Sequence, residues 1–310
     1  MNIQQLRYIY EVVRCNFSIS NAARQLHTAQ PGISTQIRLL EEELEVQIFE
    51  RKSKRLTGLT PPGIVVLGMI ERILRDIDNI RQASMEFSNE AGGTLSIATT
   101  HTQARYALPP VVKAFSARYP NVRLHIHQGN PVQVTEFVRS GIADLAIATE
   151  ALEPFDDLAT LPCYQWNRCV VTPPNHPLLS ESPLTLEALA RYPIVTYDFS
   201  FTGRSKINKA FEERGLTPNF VITALDSDVI KTYVELGMGV GVVAKMAFDA
   251  ARDVNVRAMD AEHLFEPSTT RIGIRRGNYL RGYIYAFIEL FAPHLTRKVV
   301  DTTLNKLSQN

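Results

Sequence analysis

The sequence predicts an α/β protein with an all-α, winged domain at its N-terminus. Three observations carry this reading. From residue 94 onward, short apolar runs alternate with amphipathic stretches, the pattern of βαβ units and a largely parallel sheet. The first sixty residues hold short helical patterns followed by a basic hairpin. Between these regions one heptad-spaced stretch reads as a long helix. The length of 310 residues suits two domains with a small third. Hydrophobic residues make up 45% and charged residues 21%, which excludes a disordered, collagen-like or disulfide-stapled chain.

The charge balance narrows the class. Thirty-three basic residues face 32 acidic ones, for a formal charge of +1. A globally basic nucleic-acid coat is thereby excluded, while a small DNA-binding domain on a neutral body is not. Cys15, Cys163 and Cys169 are too scattered for a disulfide framework or a zinc set and read as reduced thiols. The opening residues place Gln, Arg and Glu where a secretion signal needs an apolar run. No stretch reaches the roughly 18 apolar residues of a membrane span. The expectation is a cytoplasmic protein with no membrane partner.

Residues 1–60 are expected to form one domain. Leu6, Ile9, Tyr10 and Val13 keep helical spacing. A second helix starts at Ser18 or Ser20, and its Ala22-Ala23 pair allows close approach of a neighbour. Pro31 opens a third, whose buried stripe is Ile33, Ile37, Leu40 and Leu44. Two short helices with a tight turn describe a helix-turn-helix, whose second helix enters the major groove. Gln30, Pro31, Ser34, Thr35 and Arg38 are the residues of that helix expected to reach DNA. A hairpin follows, with Arg51, Lys52, Lys54 and Arg55 at its tip, suited to phosphates or the minor groove. Arg51, Lys54 and Arg55 are its candidate contacts. Glu41, Glu42, Glu43, Glu45 and Glu50 form an acidic block between helix and wing.

Thr60 caps the next helix, expected over 61–88. Val66, Ile70, Ile73, Ile77, Ile80, Ser84 and Phe87 recur at alternating spacings of 4 and 3, a seam for a two-chain coiled coil. Ile70, Ile73, Ile77 and Ile80 are the candidate dimerisation residues. Residues 89–93 then break the helix as a hinge. In 94–310, strands are expected at 94–99, 122–128, 144–148, 168–172, 194–197, 220–223, 240–244 and 270–275. Helices lie between them and at 279–291. Ligands of such open sheets bind where strand ends meet helix starts. Thr99 to Gln103, Thr149 and the segment 201–203 occupy such junctions. Helix N-termini with hydroxyl donors suit an anion, although a Thr there also serves as a plain cap.

The chain resembles LysR-type transcriptional regulators. In the N-terminal part the resemblance is carried by Ser20-Asn-Ala-Ala-Arg-Gln-Leu26, Gln30-Pro31, Ser34-x-Gln36-Ile37, Leu40-Glu41-x-x-Leu44, Phe49-x-Arg51, Leu56-Thr57 and Thr60-Pro61-x-Gly63. Thr35 departs from the basic residue common at that position, and Glu45 from the Gly that usually ends the helix. Further on, Thr99-Thr100-His-Thr102-Gln103, Ala148-Thr149-Glu150-Ala151, Trp166-Asn167-Arg168, Phe201-Thr202-Gly203-Arg204 and Asp228-Val-Ile-Lys-Thr-Tyr are similar to the sulfur-assimilation branch of CysB and Cbl regulators, with the Cbl side, linked to sulfonate sulfur, the nearer. The resemblance implies a winged helix-turn-helix, a long linker helix and a two-lobed, periplasmic-binding-protein-like α/β effector domain. Its lobes would comprise about 94–162 with 268–310, and about 163–267, with the chain crossing near 162–167. It implies effector contacts at Thr100, Thr102, Gln103, Thr149, Trp166 and Thr202. It also implies promoter DNA and RNA polymerase as partners, and self-association into a dimer or tetramer. No cofactor is implied. The effector would be a small anion of the sulfate, adenosine phosphosulfate, thiosulfate or acetylserine class.

Enzymatic readings find little support. Gly237-Met-Gly239-Val-Gly241 has Val242 at the third glycine position of a dinucleotide fingerprint and runs from helix into strand. There is no P-loop and no Gly-x-Ser-x-Gly elbow. His125 and His127 share a strand face without further ligands nearby. The rival function is an α/β small-molecule enzyme whose N-terminal helices are only structural; a specific operator shift separates the two.

Overall fold

The computed structural model describes residues 1–53, 55–87, 92–149, 155, 157–199 and 202–305, and among these the side chains of Phe87 and Thr202 are not described. Lys54, most of the expected hinge and the side chain of Phe87 therefore lie outside the described residues. The chain divides into two units, Met1–Ser88 with Gly277–Tyr279, and Asn89–Arg276 with Leu280–Asn310.

In the first unit, α1 (Ile3–Arg14) starts on a reciprocal cap: the Asn2 carboxamide accepts the Gln5 N–H, and the Gln5 side chain accepts the Asn2 N–H. The Ser18 hydroxyl caps α2 (Ile19–Gln25). The third helix, α3 (Gln30–Leu44), ends at Glu45, which adopts the left-handed conformation with φ 54°. The strands β1 (Phe49–Lys52) and β2 (Arg55–Leu59) form an antiparallel hairpin. Ile9, Val12, Ala22, Ile33, Ile37 and Leu40 close one core with Ile48, Phe49 and Leu56. The long helix α4 (Pro61–Phe87) begins where the Thr60 hydroxyl accepts the Gly63 N–H at 3.0 Å. A Cβ at Gly63 would lie 2.0 Å from the Ile48 carbonyl oxygen, so the close approach of backbone to helix requires glycine.

The expected seam on α4 divides in two. Ile70 is 2% exposed and belongs to the core of its own unit, with Val66 and Leu74 packed beside it. Ile70 is thus removed from the dimerisation set, because the winged domain itself covers the N-terminal half of the stripe. Ile73 and Ile80 are exposed at 39% and 69%, and Ile77 is half-buried.

The second unit holds two five-stranded sheets. The first uses β3 (Gly93–Thr99), β4 (Val122–Gln128), β5 (Leu145–Thr149), β6 (Leu158–Trp166) and a late strand, β12 (Ser268–Arg275). Its order is β4-β3-β5-β12-β6, so β12 is inserted antiparallel between β5 and β6. The helices α5 (Leu108–Arg118), α6 (Pro131–Arg139), α10 (Gly282–Phe291) and α11 (Arg297–Asn305) belong to this lobe. Phe115 and Phe287 meet edge to face at 5.4 Å in the core beneath α5 and α10.

The second sheet uses β7 (Arg168–Thr172), β8 (Ile194–Tyr197), β9 (Phe220–Ala224), β10 (Val240–Ala244) and β11 (Arg257–Asp260), in the order β11-β7-β10-β8-β9. The helices α7 (Leu186–Leu189), α8 (Thr202–Glu212) and α9 (Ser227–Glu235) accompany it. Only Asn167 separates β6 from β7, and the chain returns through 261–267. The crossover therefore falls at Asn167, at the far end of the expected 162–167, because the unforeseen strand β6 carries the first sheet as far as Trp166.

Candidate functional site

The winged domain presents the expected face on α3. Gln30, Pro31, Thr35 and Arg38 are exposed and Ser34 is half-buried. Gln30 is steadied by the Ser20 hydroxyl at 3.1 Å, which ties the first turn of α3 to α2. Arg38 pairs with Glu42 at 2.6 Å on the surface, a weak bond that leaves the guanidinium able to exchange partners.

Arg51 is different. Its Nη2 lies 2.6 Å from Glu41 Oε2, and Glu41 is 2% exposed. The other Glu41 oxygen accepts the N–H groups of Ile48 and Phe49 at 2.9 and 3.1 Å. Arg51, itself exposed, thus has a second role beside the expected DNA contact: its charge fixes the base of the wing. Arg55 and Lys52 remain exposed at the hairpin, and Lys54 lies outside the described residues. Glu41 was hidden in the sequence inside an acidic block; its one distinguishing mark is its place beside Leu40 in the buried stripe.

The second site is a cleft of about 440 Å3, part of it open to solvent, lined by Thr100, Thr102, Gln103, Pro131, Thr149, Trp166, Tyr197 and Gly203. Five of the six expected contacts converge there from separate elements. Thr202 opens α8 beside Gly203, but its side chain lies outside the described residues. Pro131 and Tyr197 were not anticipated, and Gly203 was anticipated only as part of the junction 201–203. Tyr197 ends a strand, so the strand-end rule could have found it.

Local structure explains the convergence. Thr99, at the end of β3, donates its hydroxyl to the Ile147 carbonyl at 2.9 Å, fixing the strand end from which Thr100 projects. Gln103–Ala107 then forms one π-helical turn before α5, a feature frequent at functional sites. Gln103 is held at both ends: its Oε1 accepts from the Tyr164 hydroxyl, and its Nε2 donates to Thr270 Oγ1 at 3.1 Å. These bonds fix the amide so that its second Nε2 proton is left for another acceptor. Trp166 Nε1 is buried and, among the described residues, has no hydrogen-bond partner. On the opposite lobe, the Tyr197 hydroxyl accepts the Ala244 N–H at 3.1 Å and meets Ser227 Oγ at 2.6 Å. Burial pushes the Tyr164 and Tyr197 hydroxyls up, so both stay protonated. The lining residues carry no charged side chain.

Bonds also join the lobes beside the cleft. Thr102 Oγ1 stands 3.5 Å from Ser227 Oγ, Tyr106 donates to Asp228, and Arg105 Nε lies 2.7 Å from Asp228 Oδ2. Burial alone would raise the Asp228 carboxyl, but bonds from Tyr106 and Lys231 and the Arg105 charge hold it below the usual range. His101, Asp226 and Asp228 lie close enough to hold a cation, yet Arg105 already supplies positive charge to Asp228. His125 and His127 meet edge to face at 6.5 Å, and His127 packs against Phe137. Burial pushes the Cys163 and Cys169 thiols up to about 12, so neither is a nucleophile at neutral pH. No helix among the described residues is long and apolar enough to cross a membrane.

Comparison with known proteins agrees with this anatomy. Residues 3–64 match the bacterial regulatory helix-turn-helix protein, lysR family, and residues 88–296 match the LysR substrate binding domain. The chain is 54% identical over 306 residues to the HTH-type transcriptional regulator SsuR of Burkholderia cenocepacia, covering 99% of each chain. It is 50% identical to CysB of Haemophilus influenzae, covering 97% of this chain and 93% of that one. The solved cofactor-binding domain of the Cbl transcriptional regulator covers 70% of this chain and 95% of its own, with 42% identity and a TM-score of 0.67. With a helix-turn-helix before a two-sheet ligand-binding domain, and with relatives of this identity along its whole length, the chain belongs to the LysR family of DNA-binding transcriptional regulators.

Proposed function

We propose that the protein is an activator of sulfur-assimilation or sulfonate-utilisation genes, working through RNA polymerase, whose output is set by a small sulfur-metabolism anion bound in the cleft between its lobes. The observation that carries this reading is the lining itself: Thr100, Thr102, Gln103, Thr149 and Trp166, the last with a buried and, among the described residues, unpartnered indole N–H, line one space with no charged side chain among them. Neutral donors in a fixed cage hold a fully ionised tetrahedral anion with little dependence on pH. A buried donor without a partner also carries a desolvation penalty that an anionic acceptor removes. Sulfate, thiosulfate and adenosine phosphosulfate match that description; acetylserine, a zwitterion without a tetrahedral oxyanion, is the fourth candidate and the one it favours least. The protein works in the cytoplasm, on promoter DNA, as a dimer or tetramer joined through α4.

Thr→Val keeps the shape and deletes the hydroxyl. A hydrogen bond to a charged group contributes about 1.5–3 kcal/mol, so Thr100→Val and Thr202→Val should each weaken the best ligand roughly tenfold or more. Operator binding without ligand should be unchanged, because neither residue lies in the winged domain. Calorimetry with the four candidates on the full chain is the test. Parent-like affinity in both variants would mean that these hydroxyls are only helix caps and the cage lies elsewhere.

A further inference from the structure

We infer that Arg168 is the specificity-determining charge of the cleft, selecting anions from behind the wall without touching them; this rests on the reading of the cleft as an anion site. Arg168 is the first residue of β7, directly after the one-residue crossover, and it is 1% exposed. Its guanidinium donates through Nη1 to the Glu266 carbonyl at 2.8 Å. Through Nη2 it donates to Ser268 Oγ at 2.8 Å and to the Gly203 carbonyl at 3.4 Å. Its Cζ stands 5.2 Å from the centre of the Trp166 ring. The cation therefore touches two lining residues, Trp166 and Gly203, while not itself lining the cleft. Gly203 eases the approach, since a Cβ there would fall 3.2 Å from Nη2, tighter than an ordinary contact.

Three consequences follow from this placement. A guanidinium keeps its charge at any pH the protein survives. Inside the protein the field of a unit charge is screened far less than in water, so it reaches the cleft one residue away. Against the indole face the cation also draws electron density from the ring, which makes Nε1–H a stronger donor. The bonds to Glu266 and Ser268 hold the charge against the returning strand, so its position relative to both lobes is fixed. The cage of hydroxyls reads the tetrahedral outline, and Arg168 reads the charge.

The test compares sulfate with sulfamide, a neutral molecule of the same tetrahedral outline, by calorimetry on the full-length parent, Arg168→Gln and Arg168→Lys. The parent should prefer sulfate. Arg168→Gln should lose on the order of tenfold or more in sulfate affinity, while sulfamide stays within about twofold. Arg168→Lys should retain most of the preference although its forked bonds are gone. A lesion that merely loosens the wall would weaken both molecules together. A folded Arg168→Gln with the parent's sulfate-to-sulfamide ratio overturns the inference while leaving the cleft an anion site. Should that variant fail to fold, Arg168→Lys decides, since loss of the preference with the charge retained overturns it equally. A parent that binds sulfate no better than sulfamide overturns the role of charge, and a parent that binds neither overturns the anion-site reading and this inference with it.

Discussion

At the scale of single residues, the wing shows how two arginines of one basic cluster come to different uses. Both are exposed, but Arg51 is also bonded to buried Glu41. Arg55→Ala should weaken binding to all DNA sequences and lower the salt slope by about 1. Arg51→Ala should instead lower the denaturation midpoint of the winged domain. Titrations at several salt concentrations, paired with urea melts, separate these outcomes; a normal salt slope in Arg55→Ala would remove the residue from the DNA face. The sequence shows four basic residues in five positions but not which of them meets a carboxylate on another element. Glu41 reaches backbone donors seven and eight positions away, and that contact exists only after the hairpin folds onto α3. Thr100, Thr102, Gln103, Thr149 and Trp166 were legible for the opposite reason. Thr100, Thr102, Gln103 and Thr149 sit at strand-to-helix junctions, where topology rather than side-chain detail directs the ligand, whereas Trp166 was reached only through the family resemblance.

At the scale of elements, the end of α3 is strained by its own residue. Glu45 occupies the left-handed region as the C-terminal cap. A residue with a Cβ there costs roughly 1–2 kcal/mol, part of which glycine returns in chain entropy. Glu45→Gly should therefore raise stability by about 1 kcal/mol, read as a higher urea midpoint at unchanged m-value; a lower midpoint would show that the Glu45 side chain does more than occupy the turn. The elements that the sequence hid have specific causes. Pro162 sits inside β6 and argues against a strand, but β6 is an edge strand and Pro162 stands at the register shift opposite Arg271, where proline is tolerated. The π-helical turn at Gln103–Ala107 leaves the apolar period of the helix almost unchanged and so escapes a period count. β11 is four residues long with an exposed, polar pattern. The Val-rich β7 and β10 are buried at every position, and such runs are visible in any reading.

At the scale of the whole molecule, α4 carries one stripe in two environments. Ile70 is covered by the winged domain, while Ile80 stays 69% exposed. Ile80→Glu should leave each subunit folded and separate the oligomer, because a charge would be desolvated against its twin. Ile70→Glu should unfold the winged domain instead. Sedimentation with circular dichroism distinguishes the two, and an intact oligomer in Ile80→Glu would place the subunit interface elsewhere. The position of β12 bears on how the molecule is made. Residues emerge from the ribosome in order, and the second sheet is contiguous from Arg168 to Asp260. The first sheet is not: β5 and β6 are both partnered by β12, which is synthesised after the whole second lobe. During translation the second lobe can finish while one edge of β5 and the whole of β6 wait without a neighbour. An unpaired edge is open to another chain, so a nascent chain stalled before residue 268 is the form of this protein most exposed to aggregation, even with its winged domain and second lobe already folded.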